Sequence, residues 1–271
     1  MSDSKHLNKI TVPVIQAMKS GSQKIAVLTA YDTLMAQMLD ETGMDIILVG
    51  DSAGMVIAGY DKTLSVTMEM MLYHTRSVTR GVKRALVVAD MPFLSYQPAM
   101  ETAIKNAGRM LQEAGAEAVK IEGGKPVAGT IERIVSLGIP VMGHLGLTPQ
   151  SINKFGSYRL TGDNEESARQ LMDDALILQN SGAFSIVLEK IPAQLAKEIT
   201  QKLDIPTIGI GAGSHCDGQV LVTHDMLGIF DKFQPKFVRR YAELGQTMRE
   251  AFKHYLEDVK GGRFPSVDES Y

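Results

Sequence analysis

Short apolar, largely β-branched runs recur along the chain, and each stops at a charged residue or a histidine. The run at 46–49 leads through Gly50 to Asp51, and 85–89 ends at Asp90. Lys120 and Glu122 close the run that begins at Ala118, His144 follows Gly143, and Glu189 closes 185–188. Runs this short read as strands buried on both faces, which is the pattern of a parallel sheet covered by helices. Segments with helical spacing separate the runs, so the connections are right-handed strand–helix–strand crossovers. A polar group at the same end of each strand then collects on one face, and in a closed parallel barrel that face carries the chemistry.

The expected strands are 25–30, 45–50, 85–89, 118–121, 140–143, 185–188, 206–210 and 220–222. Helices are expected at 33–41, 66–79, 98–113, 126–137, 165–180 and 192–203. Eight strands favour an α/β fold of the (β/α)8 TIM-barrel kind over an open sheet. Thr11 and Pro13 open a short N-terminal helix that Ser20-Gly21 ends. A last helix, 241–259, precedes a polar tail. Two segments break the alternation. Only 211–219 separates the last two strands, which is short for a parallel crossover, so it holds one helical turn at most or the eighth strand is misplaced. The connection 145–164, rich in Gly, Ser and Asn, has the size of a lid or binding loop.

No linker, compositional break or low-complexity tract divides the 271 residues, so 1–271 reads as one domain. A formal net charge of -3 gives no general reason to expect nucleic acid or an anionic membrane. No apolar run is long enough to span a bilayer, and residues 1–9 lack the apolar stretch of a secretion signal. Cys216 is the only cysteine, so no intrachain disulfide forms. The expectation is a cytoplasmic protein.

Asp51 and Asp90 end neighbouring strands, and two carboxylates brought together need a proton or a cation between them. Glu122, one strand on, supplies a third hard oxygen donor, a set that suits Mg²⁺ better than zinc. Each acid can instead cap the helix that follows it. Lys120 shares a face with Glu122 and can meet a substrate carboxylate or a developing enolate; the pair can equally be a plain ion pair. Glu189 stands apart from the metal residues and is a candidate general base. Ser52 can bind an anionic ligand. His144 can orient a substrate oxygen or relay a proton. The glycines at 209, 211 and 213 read as a tight turn rather than a dinucleotide fingerprint, and Cys216 has no neighbour that would activate it.

These residues resemble the ketopantoate hydroxymethyltransferase family, also called 3-methyl-2-oxobutanoate hydroxymethyltransferase. The matching segments are Leu-Thr-Ala-Tyr-Asp (28–32), Leu-Val-Gly-Asp-Ser (48–52), Tyr-His-Thr (73–75) and Ala-Asp-Met-Pro-Phe (89–93). Val-Lys-Ile-Glu-Gly-Gly (119–124), Gly-His-Leu-Gly-Leu-Thr-Pro-Gln (143–150), Ile-Gly-Ile-Gly-Ala-Gly (208–213) and Asp-Gly-Gln-Val-Leu-Val (217–222) follow in the family's order. Ala53 and Lys190-Ile191 are points of variation that remove no functional group. The resemblance implies a barrel of the phosphoenolpyruvate mutase/isocitrate lyase type. It also implies one-carbon transfer from 5,10-methylenetetrahydrofolate to 3-methyl-2-oxobutanoate, a step toward pantothenate. It makes Asp51 and Asp90 Mg²⁺ ligands that also bind substrate, Glu122 a third ligand held directly or through water, Ser52 and Lys120 substrate-binding residues, and Glu189 the proton acceptor. It further implies a homo-oligomer, a decamer of stacked pentamer rings.

Two other readings remain open. One is a different Mg²⁺-enolate lyase or mutase on the same barrel, although many of those enzymes carry a Lys-Lys-Cys-Gly-type loop that has no counterpart here. The other is a non-catalytic barrel that binds an oxo acid, although a degenerate relative would be expected to lose a charged strand end.

Overall fold

The apolar runs form eight parallel strands that close on themselves in sequence order, β1 pairing with both β2 and β8. A computed structural model describes residues 8–21, 23–156, 159–230 and 235–271. Most of the polar start and residues 157–158 of the long connection lie outside the described residues. Two compact units divide the chain, Met1–Leu221 and Val222–Tyr271.

In the first unit the order is α1 (Val12–Met18), β1 (Ile25–Thr29), α2 (Thr33–Glu41), β2 (Ile46–Val49), α3 (Ala53–Val56), α4 (Met68–Thr79) and β3 (Leu86–Asp90). Then come α5 (Met100–Gln112), β4 (Ala118–Glu122), α6 (Ala128–Ser136), β5 (Val141–Gly146), α7 (Ile152–Phe155), α8 (Glu165–Asn180), β6 (Ser185–Glu189), α9 (Ala193–Lys202), β7 (Thr207–Ile210) and β8 (Gly218–Leu221). α2 and α8 match the expected bounds to the residue because their caps are explicit. The Asp32 carboxylate accepts from Met35 N–H, and Asn164 forms a reciprocal capping box with Ser167.

Alternate strand residues fill the barrel interior. Ile25, Val27, Ile46, Leu48, Leu86, Val88, Ala118, Met142, Val187, Ile208 and Val220 belong to one buried cluster. Ile10 and Ile15 join the same cluster, so the N-terminal segment and α1 plug the end of the barrel where the strands begin.

Three expectations are corrected. The segment 52–64 is not a plain loop, since α3 and a 3-10 turn at Thr63–Ser65 lie in it. β5 runs three residues past its expected end because His144, Leu145 and Gly146 pair with Val187, Leu188 and Glu189. β8 begins two residues early, at Gly218, which takes register against Ile25 and Ile208. The crossover from β7 to β8 is therefore the helix-free stretch 211–217; with no helix to pack, seven residues suffice.

In the second unit α10 (Thr223–Met226) and α11 (Leu244–Lys260) are joined by Tyr241 N–H donating to the Met226 carbonyl and Leu244 N–H donating to that of Leu227. The last helix starts three residues later than expected and leaves Met248, Phe252, Tyr255 and Val259 exposed. Among the described residues no helix is long and apolar enough to cross a membrane.

One buried acid serves the fold alone. Asp40, on the buried side of α2, accepts the backbone N–H groups of Lys83, Arg84 and Ala85 at 2.7–3.1 Å. Asp40→Ala leaves those donors without partners at the entry to β3, at about 1–3 kcal/mol for each one left dry. Urea denaturation should therefore show a loss of roughly 2–4 kcal/mol. A loss below about 0.5 kcal/mol, the ordinary surface value, would mean that water replaces the carboxylate.

Candidate active site

The side chains that continue the interior rows past the apolar core are the ones singled out in the sequence. On β3, Leu86 and Val88 are core and Asp90 is next on that face. On β4, Ala118 is followed by Lys120 and Glu122. Met142 is followed by His144 on β5, and Val187 by Glu189 on β6. Register sets Asp90 beside Lys120 and Glu122 beside His144. Asp51 lies just past β2, and its backbone N–H donates to Asp90 Oδ2 at 3.0 Å. Ser52 follows, its hydroxyl 2.7 Å from the Tyr31 hydroxyl. Gly50 permits this fold-back, since a Cβ there would stand 2.7 Å from Ser52 Oγ.

Lys120 Nζ is 3.1 Å from Asp90 Oδ1, 3.8 Å from Glu122 Oε1 and 3.1 Å from His144 Nδ1. His144 bridges two acids. Nδ1 is 3.3 Å from Glu122 Oε1, and Nε2 is 3.3 Å from Glu189 Oε2 in an ion-pair contact without a well-aligned hydrogen bond. The Asp90 Oδ1 contact with Lys120 is likewise an ion pair without hydrogen-bond alignment. The side chains of Asp90, Lys120, Glu122 and His144 are only 3–4% exposed, whereas Glu189 is 16% exposed and stands nearest the opening.

Glu189 is held there by unusual backbone. At Gly146 φ is +92°, and a Cβ would fall 2.2 Å from the Glu189 carbonyl oxygen, so glycine lets β5 and β6 close beside it. Lys190 turns away through a left-handed φ of 50°, a strained conformation for a side-chain-bearing residue.

The electrostatics follow from burial. Asp51 is pushed well above its ordinary range, first by desolvation and then by Asp90 and Glu122. Desolvation also raises Asp90, although Lys120 opposes it. Burial disfavours the Lys120 ammonium, but Asp90, Glu122 and Asp51 outweigh it and raise the group. Burial and Lys120 oppose a charged His144 ring, yet Glu122 and Glu189 push it up to about 9. Burial would raise Glu122, but His144 and Lys120 hold it below the usual carboxylate range. Four carboxylates thus gather around one lysine and one histidine, an acidic excess in a largely buried place. Such an excess is relieved by a proton or a cation. Among the described residues no group of three or more His, Cys, Asp or Glu side chains stands ready-made to hold a metal ion. The donors that do gather are carboxylate oxygens, the hard ligands that Mg²⁺ takes with water.

All six charged or imidazole candidates are therefore brought together, and Ser52 sits beside Asp51. Two further residues join them. Gln150, 4% exposed, donates from Nε2 to Asp51 Oδ2 at 3.0 Å, and its backbone N–H donates to Glu122 Oε2 at 3.0 Å. The buried Tyr96 hydroxyl donates to Gln150 Oε1 at 2.8 Å and is 3.2 Å from the Glu122 backbone N–H, which donates to it. The first part of the 145–164 connection is thus wall rather than free loop: Leu147, Thr148, Gln150 and Ile152 are buried, and Leu147 N–H donates to the Glu189 carbonyl at 2.8 Å. Cys216 is buried and burial pushes its thiol up, so it stays protonated. Positive φ at Gly211 and Gly213 makes the 209–213 segment a tight turn.

The family described as Ketopantoate hydroxymethyltransferase matches residues 9–267. The 3-methyl-2-oxobutanoate hydroxymethyltransferase of Syntrophus aciditrophicus is 56% identical over 271 residues, covering all of both chains. Solved structures share the fold at low identity. The phosphoenolpyruvate phosphomutase of Streptomyces platensis subsp. rosaceus superposes with a TM-score of 0.63 at 14% identity, covering 93% of this chain and 88% of that one. 2,3-Dimethylmalate lyase, a PEP mutase/isocitrate lyase superfamily member, gives 0.59 at 16%, covering 96% and 92%. By fold the protein is a barrel of that superfamily's type, and by sequence the chain belongs to the ketopantoate hydroxymethyltransferase family.

Proposed function

We propose that this chain transfers a hydroxymethyl group from 5,10-methylenetetrahydrofolate to 3-methyl-2-oxobutanoate, giving 2-dehydropantoate on the way to pantothenate. The observation that carries this reading is the gathering of a carboxylate pair, a buried lysine and a more exposed glutamate at one barrel mouth, in a chain over half identical to a relative of that name.

Asp51 and Asp90, with Glu122 directly or through water, would hold Mg²⁺. When bound, the ion supplies Lewis acidity at the keto oxygen of the 2-oxo acid. Ser52 and the Lys120 ammonium bind the substrate's anionic end, and Lys120 offsets the negative charge that grows as the C3 proton leaves. Glu189 accepts that proton. Nucleophilic C3 then bonds to the methylene carbon carried by the folate as one of its carbon–nitrogen bonds breaks. Water breaks the other and supplies the hydroxyl oxygen, so that tetrahydrofolate leaves with the protons balanced on its nitrogens. His144, enclosed by Lys120, Glu122 and Glu189, orients the base. The substrates are small molecules handled in the cytoplasm. The apolar stripe exposed on α11 gives a homo-oligomer a surface to bury.

The test is a reaction of purified protein with Mg²⁺, the 2-oxo acid and the methylene folate, followed by mass spectrometry. Folate-dependent 2-dehydropantoate is expected. Cleavage of a C–C bond without folate would point to the lyase reading, and absence of both products would overturn the assignment.

A further inference from the structure

Gln150 is a buried side chain with all its polar atoms committed, and none of the chemistry above uses it. It leaves the root of the long connection at the 3-10 turn Pro149–Ser151 and reaches back across the mouth. Its two amide hydrogens go to Asp51 Oδ2 at 3.0 Å and the Met91 carbonyl at 2.9 Å. Its Oε1 accepts from the Tyr96 hydroxyl at 2.8 Å and from Gln97 Nε2 at 3.2 Å. Only one amide orientation satisfies this arrangement, because the flipped one would set oxygen against the Asp51 carboxylate and a carbonyl. The backbone N–H of the same residue holds Glu122 Oε2.

We propose that Gln150, locked by Tyr96, is a positioning residue for the cation site, fixing the carboxylate of Asp51 and that of Glu122 before the ion arrives. The proposal rests on the reading of those two acids as cation ligands. An amide suits the post because it donates to one acid and accepts from a phenol without adding charge. A glutamate there would set another carboxylate beside Asp51 and Glu122 in a place that already carries excess negative charge. Holding ligands in orientation is the role that partners of ligands have in metal sites, and losing one costs roughly 10–100-fold in affinity.

The experiment is Mn²⁺ binding to the full chain without substrate or folate, read by electron paramagnetic resonance, on wild type, Gln150→Leu, Tyr96→Phe and Asp51→Asn. Gln150→Leu should weaken binding by at least about tenfold, and Tyr96→Phe, which keeps the ring but removes the hydroxyl that holds both the Gln150 amide and the Glu122 backbone N–H, should weaken it by a smaller factor. In the Asp51→Asn background, Gln150→Leu should cost much less than it does alone, because part of its effect runs through Asp51. A merely structural role would lower thermal stability and leave the affinity of the folded protein unchanged. Wild-type Mn²⁺ affinity in folded Gln150→Leu overturns the proposal; if that variant does not fold, wild-type affinity in Tyr96→Phe overturns it. Failure of wild type itself to bind Mn²⁺ overturns the cation-site reading and this proposal together.

Discussion

Glu189→Gln is expected to abolish Mg²⁺-dependent exchange of the C3 proton of 3-methyl-2-oxobutanoate in D₂O while leaving binding of the 2-oxo acid largely intact. Proton transfer by a positioned side chain contributes roughly 10²–10⁴-fold, so exchange followed by NMR should fall by that order. Three features single out this carboxylate. It is the most exposed acid of the group, it stands one residue from the strained turn at Lys190, and His144 Nε2 faces it without being a cation ligand. Glutamine keeps the length and the contact with His144, so what is lost is the basic oxygen. Exchange at the wild-type rate in the variant would move the base elsewhere, with His144 the next group to test. Exchange absent from wild type under every condition would remove the substrate assignment itself.

Much of this arrangement is legible in the chain because period-2 alternation in doubly buried strands leaves few alternatives. A charge two residues beyond Leu86 and Val88, or beyond Ala118, has to surface at the mouth. The end of β5 was hidden because Gly143-His144-Leu145-Gly146 interrupts the apolar pattern, and only pairing with β6 makes those residues strand. Gln150 and Tyr96 were hidden for another reason. They reach the site from connections, where no periodicity says which way a side chain points. Gln150 does lie inside the segment 143–150 that carries the family resemblance, so its position was marked while its partners were not. For His144, a candidate to orient a substrate oxygen or relay a proton, the sequence does not show its neighbours; register sets it beside Glu122, and its Nε2 reaches Glu189.

Asp90→Asn should weaken Mg²⁺ binding, measured by calorimetry, by roughly a hundredfold or more, since even a residue that only orients a ligand is worth 10–100-fold. Binding of the 2-oxo acid should lose its dependence on Mg²⁺ in parallel. Both carboxylate oxygens are needed where they are: Oδ2 accepts the Asp51 N–H, and Oδ1 faces the Lys120 ammonium with no aligned hydrogen bond. An amide offers one oxygen. Turned toward Asp51 N–H, it sets its NH₂ against Lys120; turned the other way, it sets NH₂ against the Asp51 backbone. In either orientation a donor meets a donor, and the site has lost a carboxylate whose charge a cation would neutralise. Asp90→Ala would be a poorer probe. It leaves Lys120 buried with Glu122 only at 3.8 Å, and removing one member of a buried pair costs about 3–5 kcal/mol of stability, which would confound affinity with unfolding. Asn removes the same charge but keeps the side-chain volume, so affinity is compared only on protein shown to be folded by circular dichroism. A folded Asp90→Asn variant that binds Mg²⁺ as tightly as wild type would take Asp90 out of the coordination shell, leaving Asp51 and Glu122 as the acids to examine.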